Sequence, residues 1–172
     1  MFQFGRYRVY FTQSPEKHYA LSGDIKNSVF DKYTVNDTKF ILLAEPYWFD
    51  VDWKHKDIAG GKFSLHIYTK PEISATYRLL KATIKTSSFS MDVYDMEEAE
   101  AVFYSSETTN RSDGYKQRGI RSNYYRFPCP KDMKYSITVF IEEEKDDGIK
   151  TIYEFSYYYF LKKKDNWFRL LI

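Results

Sequence analysis

This sequence of 172 residues contains few residues of the types that form disulfides, bind metals or break regular secondary structure. It has one cysteine, three histidines, seven glycines and five prolines. The lone Cys129 can form neither an internal disulfide nor a cysteine-based metal motif, so we expect a buried structural thiol. The glycines and prolines form no linker, and no segment repeats at a fixed period. The sequence therefore predicts a single β-sandwich domain over residues 1–172.

Long apolar runs are also missing. The longest aliphatic run, residues 40–44, is much too short to span a bilayer, and the first residues contain no apolar core of signal-peptide length. We therefore predict a soluble protein with no membrane span. The cytoplasm is the favoured location, although a mature secreted protein whose leader has been removed fits the same sequence.

Neither the net charge nor any catalytic motif identifies an activity. The 26 basic and 24 acidic residues leave a formal charge of +2, so electrostatic recognition must come from local patches. Nucleotide-binding glycine motifs and the Gly-x-Ser-x-Gly elbow are absent, and His18, His55 and His66 belong to different predicted elements. We therefore expect no cofactor and no catalytic residue, which favours a binding protein over an enzyme.

Aromatic residues are abundant: 17 Tyr, 14 Phe and 3 Trp make up 20% of the chain, which excludes a disordered protein. Together with β-branched residues they recur at every second position, the period of a half-buried strand. The pattern predicts an all-β fold, an antiparallel two-sheet β-sandwich of about seven to nine strands with two short helices. The clearest predicted strands before the C-terminal region occupy residues 6–11, 39–44, 49–54, 63–67, 77–85 and 89–93.

The two helices are predicted from capping signals. Ser14 followed by Pro15 starts a short helix that ends near Gly23, and Asp95 with Glu98 forms a capping box at the start of a second. An alternative is an α+β fold in which a curved antiparallel sheet wraps around a helix. The first ninety residues favour the sandwich, because they contain only one short helix signal.

The last forty residues predict a β-meander. Residues 135–144 and 149–163 flank a turn that contains Gly148, which indicates a hairpin. Lys164, Asp165 and Asn166 then predict a second turn, after which residues 167–172 would pair with the preceding strand. The six residues after that turn are almost entirely apolar, so we expect them in the core.

The strand over residues 152–161 carries aromatic residues on both faces. The simplest interpretation is a central strand covered on both sides. The alternative is that Tyr158 and Phe160 form part of an exposed aromatic platform for a protein partner or for sugar rings.

A pair of carboxylates offers a weak candidate metal site. Asp50 and Asp52 would project from the same strand face, with His55 and Asp57 nearby, and paired carboxylates can hold Ca²⁺ or Mg²⁺. Alternating Asp and Lys is equally ordinary on the solvent face of a strand, and Lys54 and Lys56 would compete for the carboxylates. We therefore expect surface groups and no bound metal.

The strongest candidate for partner binding follows an acidic segment. Residues 92–107 contain six acidic residues and no basic one, after which the sign reverses in a predicted loop rich in Arg, Lys and Tyr. This loop can anchor a protein partner, bind phosphates and stack on bases, or fold back to compensate the acidic segment. Its candidate partner-binding residues are Arg111, Tyr115, Lys116, Arg118, Arg121, Tyr124, Tyr125 and Arg126.

Taken together, these features predict a non-catalytic binding protein that recognises another protein through the Arg/Tyr-rich loop and the sandwich surface, in an inhibitor, immunity-type or accessory role. A carbohydrate-binding module is the first alternative, and it requires an exposed Trp48, Trp53 or Tyr158. Nucleic-acid binding and a metal-assisted hydrolase follow.

Overall fold

The computed structural model describes residues 2–13, 24–46, 58–95, 114–122, 125–128 and 133–171. Within residues 2–13, 45–46, 58–60, 121 and 162–171 it describes the backbone alone. The predicted helix at 14–23, the helix after Asp95 and the strand that contains Asp50 and Asp52 lie outside the described residues.

The described residues form ten β-strands and one short 3₁₀ helix, arranged in two antiparallel sheets. Sheet A has the strand order β1-β10-β9-β5-β6, and sheet B has the order β2-β3-β4-β7, with β8 also paired to β4. The predicted all-β two-sheet sandwich is thereby confirmed, and the α+β alternative is not adopted. The strands are β1 Phe2–Gln13, β2 Thr34–Val35, β3 Thr38–Pro46, β4 Ile58–Thr69, β5 Ala75–Lys85, β6 Ser90–Asp95, β7 Lys116–Arg121, β8 Tyr125–Pro128, β9 Met133–Lys145 and β10 Lys150–Leu171, and the 3₁₀ helix is Ser28–Tyr33.

The main core lies between the two sheets, where alternate residues of the facing strands meet. From sheet A, β9 contributes every second residue from Tyr135 to Ile141, and β10 does so from Phe155 to Leu161. From sheet B, β3 contributes Phe40, Leu42 and Ala44. The period-two pattern read in the sequence therefore corresponds to this inner face.

Two tyrosines of β10 join the sheets by hydrogen bonds as well as by packing. The hydroxyl of Tyr157 donates to the carbonyl of Phe40, and that of Tyr159 to the carbonyl of Leu42, each at 2.7 Å. A two-residue turn at Asn36 and Asp37, both with positive φ, joins β2 to β3. Because β2 is short, it pairs only with the first two residues of β3. The tyrosines therefore supply donors to carbonyls of β3 beyond the reach of β2.

A second, smaller core covers the outer face of sheet B. Ile41 and Tyr68 project outward from β3 and β4, and the segment of residues 24–33 places Ile25 and Phe30 over them. All four side chains are buried. The chain thus shields this face with its own residues.

The predicted C-terminal meander is confirmed for its hairpin, but the prediction of a second turn is wrong. Strands β9 and β10 pair around Gly148, whose φ is +80°. β10 then continues without a turn through Lys164, Asp165 and Asn166 to Leu171. Its final part pairs with β1 and not with the preceding strand, because the N-terminal strand supplies a partner along the whole length of residues 160–171. The run Lys162–Lys164 is accordingly part of a strand and not of a turn.

Candidate functional site

The outer face of sheet A forms the candidate site, and we call it the open face. Residues that stand opposite one another on paired strands share a face, so the strand register defines its membership. Four side chains belong to hydrophobic residues, and the others given below are polar or charged. In rows across β10, β9, β5 and β6 the open face comprises Lys150, Glu144 and Thr76; Ile152, Glu142 and Arg78; Glu154, Phe140, Lys81 and Asp95; Ser156, Thr138, Thr83 and Asp92; Tyr158, Ser136, Lys85 and Ser90; and Phe160 with Lys134.

Tyr158 is the most exposed large hydrophobic side chain on the open face. It is 68% exposed, and Ile152 is 60% exposed on the same strand. The neighbouring residues Tyr157 and Tyr159 are buried between the sheets. The interpretation of this strand as covered on both sides is therefore wrong, because Ile152 and Tyr158 on its outer face are exposed. Exposure is found for Tyr158, whereas Phe160 is half-buried.

Most charged groups of the open face are already paired. Arg78 lies 3.4 Å from Glu142 and 3.2 Å from Glu144, and Lys150 lies 3.3 Å from Glu142. Lys81 contacts Asp92 at 2.7 Å, which holds the pKa of that carboxyl below its usual value, with a further contribution from the Thr83 hydroxyl. These pairs neutralise the end of the face near the β9–β10 turn and its β5–β6 side.

Two lysines at the other end differ from these cations. Among the described residues, neither Lys85 nor Lys134 forms an ion pair, and both are exposed. Lys85 stands in the row of Tyr158, with Ser136 between them, and Lys134 stands opposite Phe160. Strand spacing puts the Cα atoms of Tyr158 and Lys85 about 10 Å apart. The exposed Tyr158 therefore has one of these lysines on the adjacent strand and the other two strands away on the same face.

The predicted Arg/Tyr-rich loop contains two strands, β7 and β8, in its described part. Lys116 and Arg118 share the inward side of β7 with the buried Ile120. Their side chains donate to the main-chain carbonyls of Pro71 and Ala75, at 3.0 and 3.3 Å. Lys116 therefore ties β7 to the β4–β5 connection, and Arg118 ties it to the first residue of β5.

The other predicted partner-binding residues are separated in the fold. Tyr125 is only 7% exposed and packs in the main core, whereas Arg126 is exposed on the opposite side of β8. Tyr115 packs against the second core. Arg121 is described by its backbone alone, in β7, and Arg111 and Tyr124 lie outside the described residues. Their role in binding a partner stays a prediction.

A buried polar cluster lies between the sheets. Glu143 is 4% exposed and accepts hydrogen bonds from the hydroxyls of Tyr77 at 2.9 Å and Tyr153 at 2.7 Å. The Tyr77 hydroxyl also lies 3.1 Å from the Thr38 hydroxyl. Burial, assisted by Glu143, raises the pKa of Tyr77 and that of Tyr153 to about 12. The tyrosines remain neutral donors at physiological pH, which suits a structural cluster.

Within the part of the chain that the structure describes, no group of three or more His, Cys, Asp and Glu side chains is placed to hold a metal ion. Asp50 and Asp52 lie outside that part. No helix in the described ranges has the length and apolarity needed to cross a membrane.

The sequence offered an exposed Tyr158 only as an alternative to a covered strand, and it gave no sign of the two lysines near it. The signal for Tyr158 was the excess of aromatic residues on a single strand. Lys85 and Lys134 belong to β5 and β9, and their proximity to Tyr158 depends on the register of three strands. The alternation of each strand gives the face on which a lysine lies but not its neighbours on other strands.

Comparison of the chain with protein-family models, with curated proteins and with solved structures finds no match in any of the three.

Proposed function

We propose that the protein is a non-catalytic binding protein that recognises another protein through the open face, with Tyr158 as the central anchor. The observation that carries the proposal is the 68% exposure of this side chain, on a strand whose neighbouring tyrosines are buried. Tyrosine is enriched among residues that dominate binding energy, because its large rigid ring costs little conformational entropy to immobilise.

The open face is a better candidate than the Arg/Tyr-rich segment for a physical reason. Lys116 and Arg118 already donate hydrogen bonds to main-chain carbonyls, and Tyr125 is buried. Using these side chains for a partner would first require breaking contacts of the fold. Tyr158 and Lys134 require no such rearrangement, since both are exposed on a paired strand. Arg126 is exposed as well and can extend the contact area on sheet B.

Site-specific crosslinking tests the proposal. A photoreactive phenylalanine analogue placed at position 158 of the full chain should capture a protein from the native source, because the ring would lie inside the interface. The same analogue at position 149 is the matched control, since Ile149 is 58% exposed but lies next to the β9–β10 turn. The captured protein is then purified and its affinity measured directly.

Tyr158→Ala should weaken that affinity by about 2 kcal/mol, roughly thirtyfold, while the unfolding temperature stays unchanged. Ile149→Ser should leave the affinity unchanged. Equal affinity for wild-type protein and Tyr158→Ala would show that the open face is not the binding surface.

A carbohydrate-binding module remains the second candidate, because the exposed Tyr158 meets its main requirement. The hydroxyls of Ser136, Ser156 and Thr138 lie on the same face and can donate to or accept from sugar hydroxyls. Binding of wild-type protein, but not of Tyr158→Ala, to an array of oligosaccharides would favour this function over protein recognition.

A further inference from the structure

We infer that the segment of the partner that covers Tyr158 is acidic, with Asp or Glu next to an aromatic or aliphatic residue. This inference rests on the proposed function and specifies the chemistry of the partner. The apolar residue would contact the Tyr158 ring and the half-buried Phe160, and the carboxylates would contact Lys85 and Lys134.

The charges of the open face support an acidic occupant at this end. Arg78, Lys81 and Lys150 have carboxylates within 3.5 Å on the protein itself. Lys85 and Lys134 have no such carboxylate within the described ranges, and both lie on the same face as Tyr158, within two strands of it. A partner that brought cations here would place like charges together, whereas carboxylates would add attraction and guide the encounter.

The same charges disfavour a uniform polyanion such as a nucleic acid. Glu154 is exposed on the open face, on the same strand as Tyr158. It forms no ion pair within the described part of the chain. Glu142 lies in the adjoining row. A phosphate backbone that followed β10 past Tyr158 would approach these carboxylates. A protein segment avoids that repulsion, because it can carry acidic residues over the lysines alone.

Geometry limits the length of the segment. Tyr158 and Phe160 are two positions apart on β10, about 7 Å along the strand, and Lys85 lies two strands away. A strand or one helical turn can span these positions. The occupant therefore needs only a short linear stretch in which acidic and apolar residues alternate or lie one turn apart.

Selection from a display library of random linear peptides tests the inference, with the immobilised full chain as bait. Wild-type protein should retain sequences enriched in Asp or Glu beside Trp, Tyr, Phe or Leu, and Tyr158→Ser should not. Affinity for a retained peptide should fall about three- to tenfold in the double variant Lys85→Gln, Lys134→Gln. The affinity of wild-type protein for the same peptide should fall as ionic strength rises from about 0.05 M to about 0.5 M, because salt screens the attraction to the two lysines. The matched control is Lys26→Gln with Lys145→Gln, two exposed lysines away from Tyr158, which should leave affinity unchanged.

The outcomes separate this inference from the proposed function. Peptides that depend on Tyr158 but are neutral or basic, or that bind equally to the double lysine variant, would overturn the acidic partner and leave the open face as a binding surface. If Tyr158→Ser retains the same peptides equally well, both the acidic partner and the open face as a binding surface are overturned. The same holds if wild-type protein retains no peptide more strongly than Tyr158→Ser does. Preferential binding of an oligonucleotide through the two lysines, or self-association of the chain through this face, would replace the acidic segment by another occupant.

Discussion

The outer faces of the two sheets differ in what covers them. The outer face of sheet B carries Ile41 and Tyr68, and the chain buries both beneath Ile25 and Phe30. The open face of sheet A carries Tyr158 and Ile152, and both remain exposed. The first arrangement follows from the hydrophobic effect acting within one chain. Exposed side chains of the same kind on the other face contribute little to folding, which agrees with the proposal that they contact a partner.

The largest expected effect comes from removing a ring on the covered face. Phe30→Ala should lower the free energy of unfolding by about 3–5 kcal/mol, because it leaves a cavity over Ile41 in the second core. Chemical denaturation measures the change. Tyr158→Ala removes a ring from the open face and is the matched control, with little expected loss of stability. Similar losses for both variants would contradict the conclusion that only the first ring is buried by folding.

Adjacent tyrosines of β10 provide a finer test. Tyr159→Phe removes the donor to the Leu42 carbonyl and leaves that buried group without its tyrosine, so unfolding should become easier by about 1–3 kcal/mol. Tyr158→Phe deletes a hydroxyl that faces solvent and should change stability by less than about 0.5 kcal/mol. A result in which the exposed tyrosine matters more would reverse the assignment of the two faces of β10.

The buried tyrosines should also make the folded protein less stable at alkaline pH. The raised pKa values of Tyr77 and Tyr153, about 12, favour the neutral form in the folded state. Their stabilisation is complete below the unfolded pKa of about 10 and is lost as pH rises toward 12. The free energy of unfolding, measured by chemical denaturation at pH values of about 9, 10, 11 and 12, should show this decline. Tyr77→Phe with Tyr153→Phe should make it less steep, and an unchanged slope would remove these two residues as its cause.

The smallest expected effect is on the open face itself. Ile152→Ser, Lys85→Gln and Lys134→Gln should each change the free energy of unfolding by no more than about 0.5 kcal/mol, because all three side chains are exposed. Thermal unfolding of the variants checks this. A loss above 2 kcal/mol for any of them would indicate that the face is buried in the folded protein.

The sequence predicted most of the strands because their inner faces follow a period of two, as in β9 from Tyr135 to Ile141. It failed where local composition opposed the long-range pairing. Lys164, Asp165 and Asn166 are typical of a turn, but β1 pairs with them as a strand. Lys116 and Arg118 suggested a solvated loop, although their spacing from Ile120 already placed them on the inward side of β7.

The candidate site was predictable only in part, for a related reason. Tyr158 can be selected from its own strand, since aromatic residues occupy both of its faces. Its lysine neighbours become apparent only with the register of β10, β9 and β5, which contains a shift between Leu79 and Lys81. Such a shift reassigns residues to faces, and a single sequence gives no measure of it.

The pairing of β1 with β10 sets an order of events during synthesis. Phe2 pairs with Leu171, so β1 leaves the ribosome long before the part of β10 with which it pairs. At about 5–20 residues per second that delay is on the order of ten seconds or more. During it the backbone donors and acceptors of residues 2–13 lack their partners in β10, which is the condition in which strands pair with other chains. We therefore expect nascent chains that stop before residue 160 to require a chaperone to remain unaggregated.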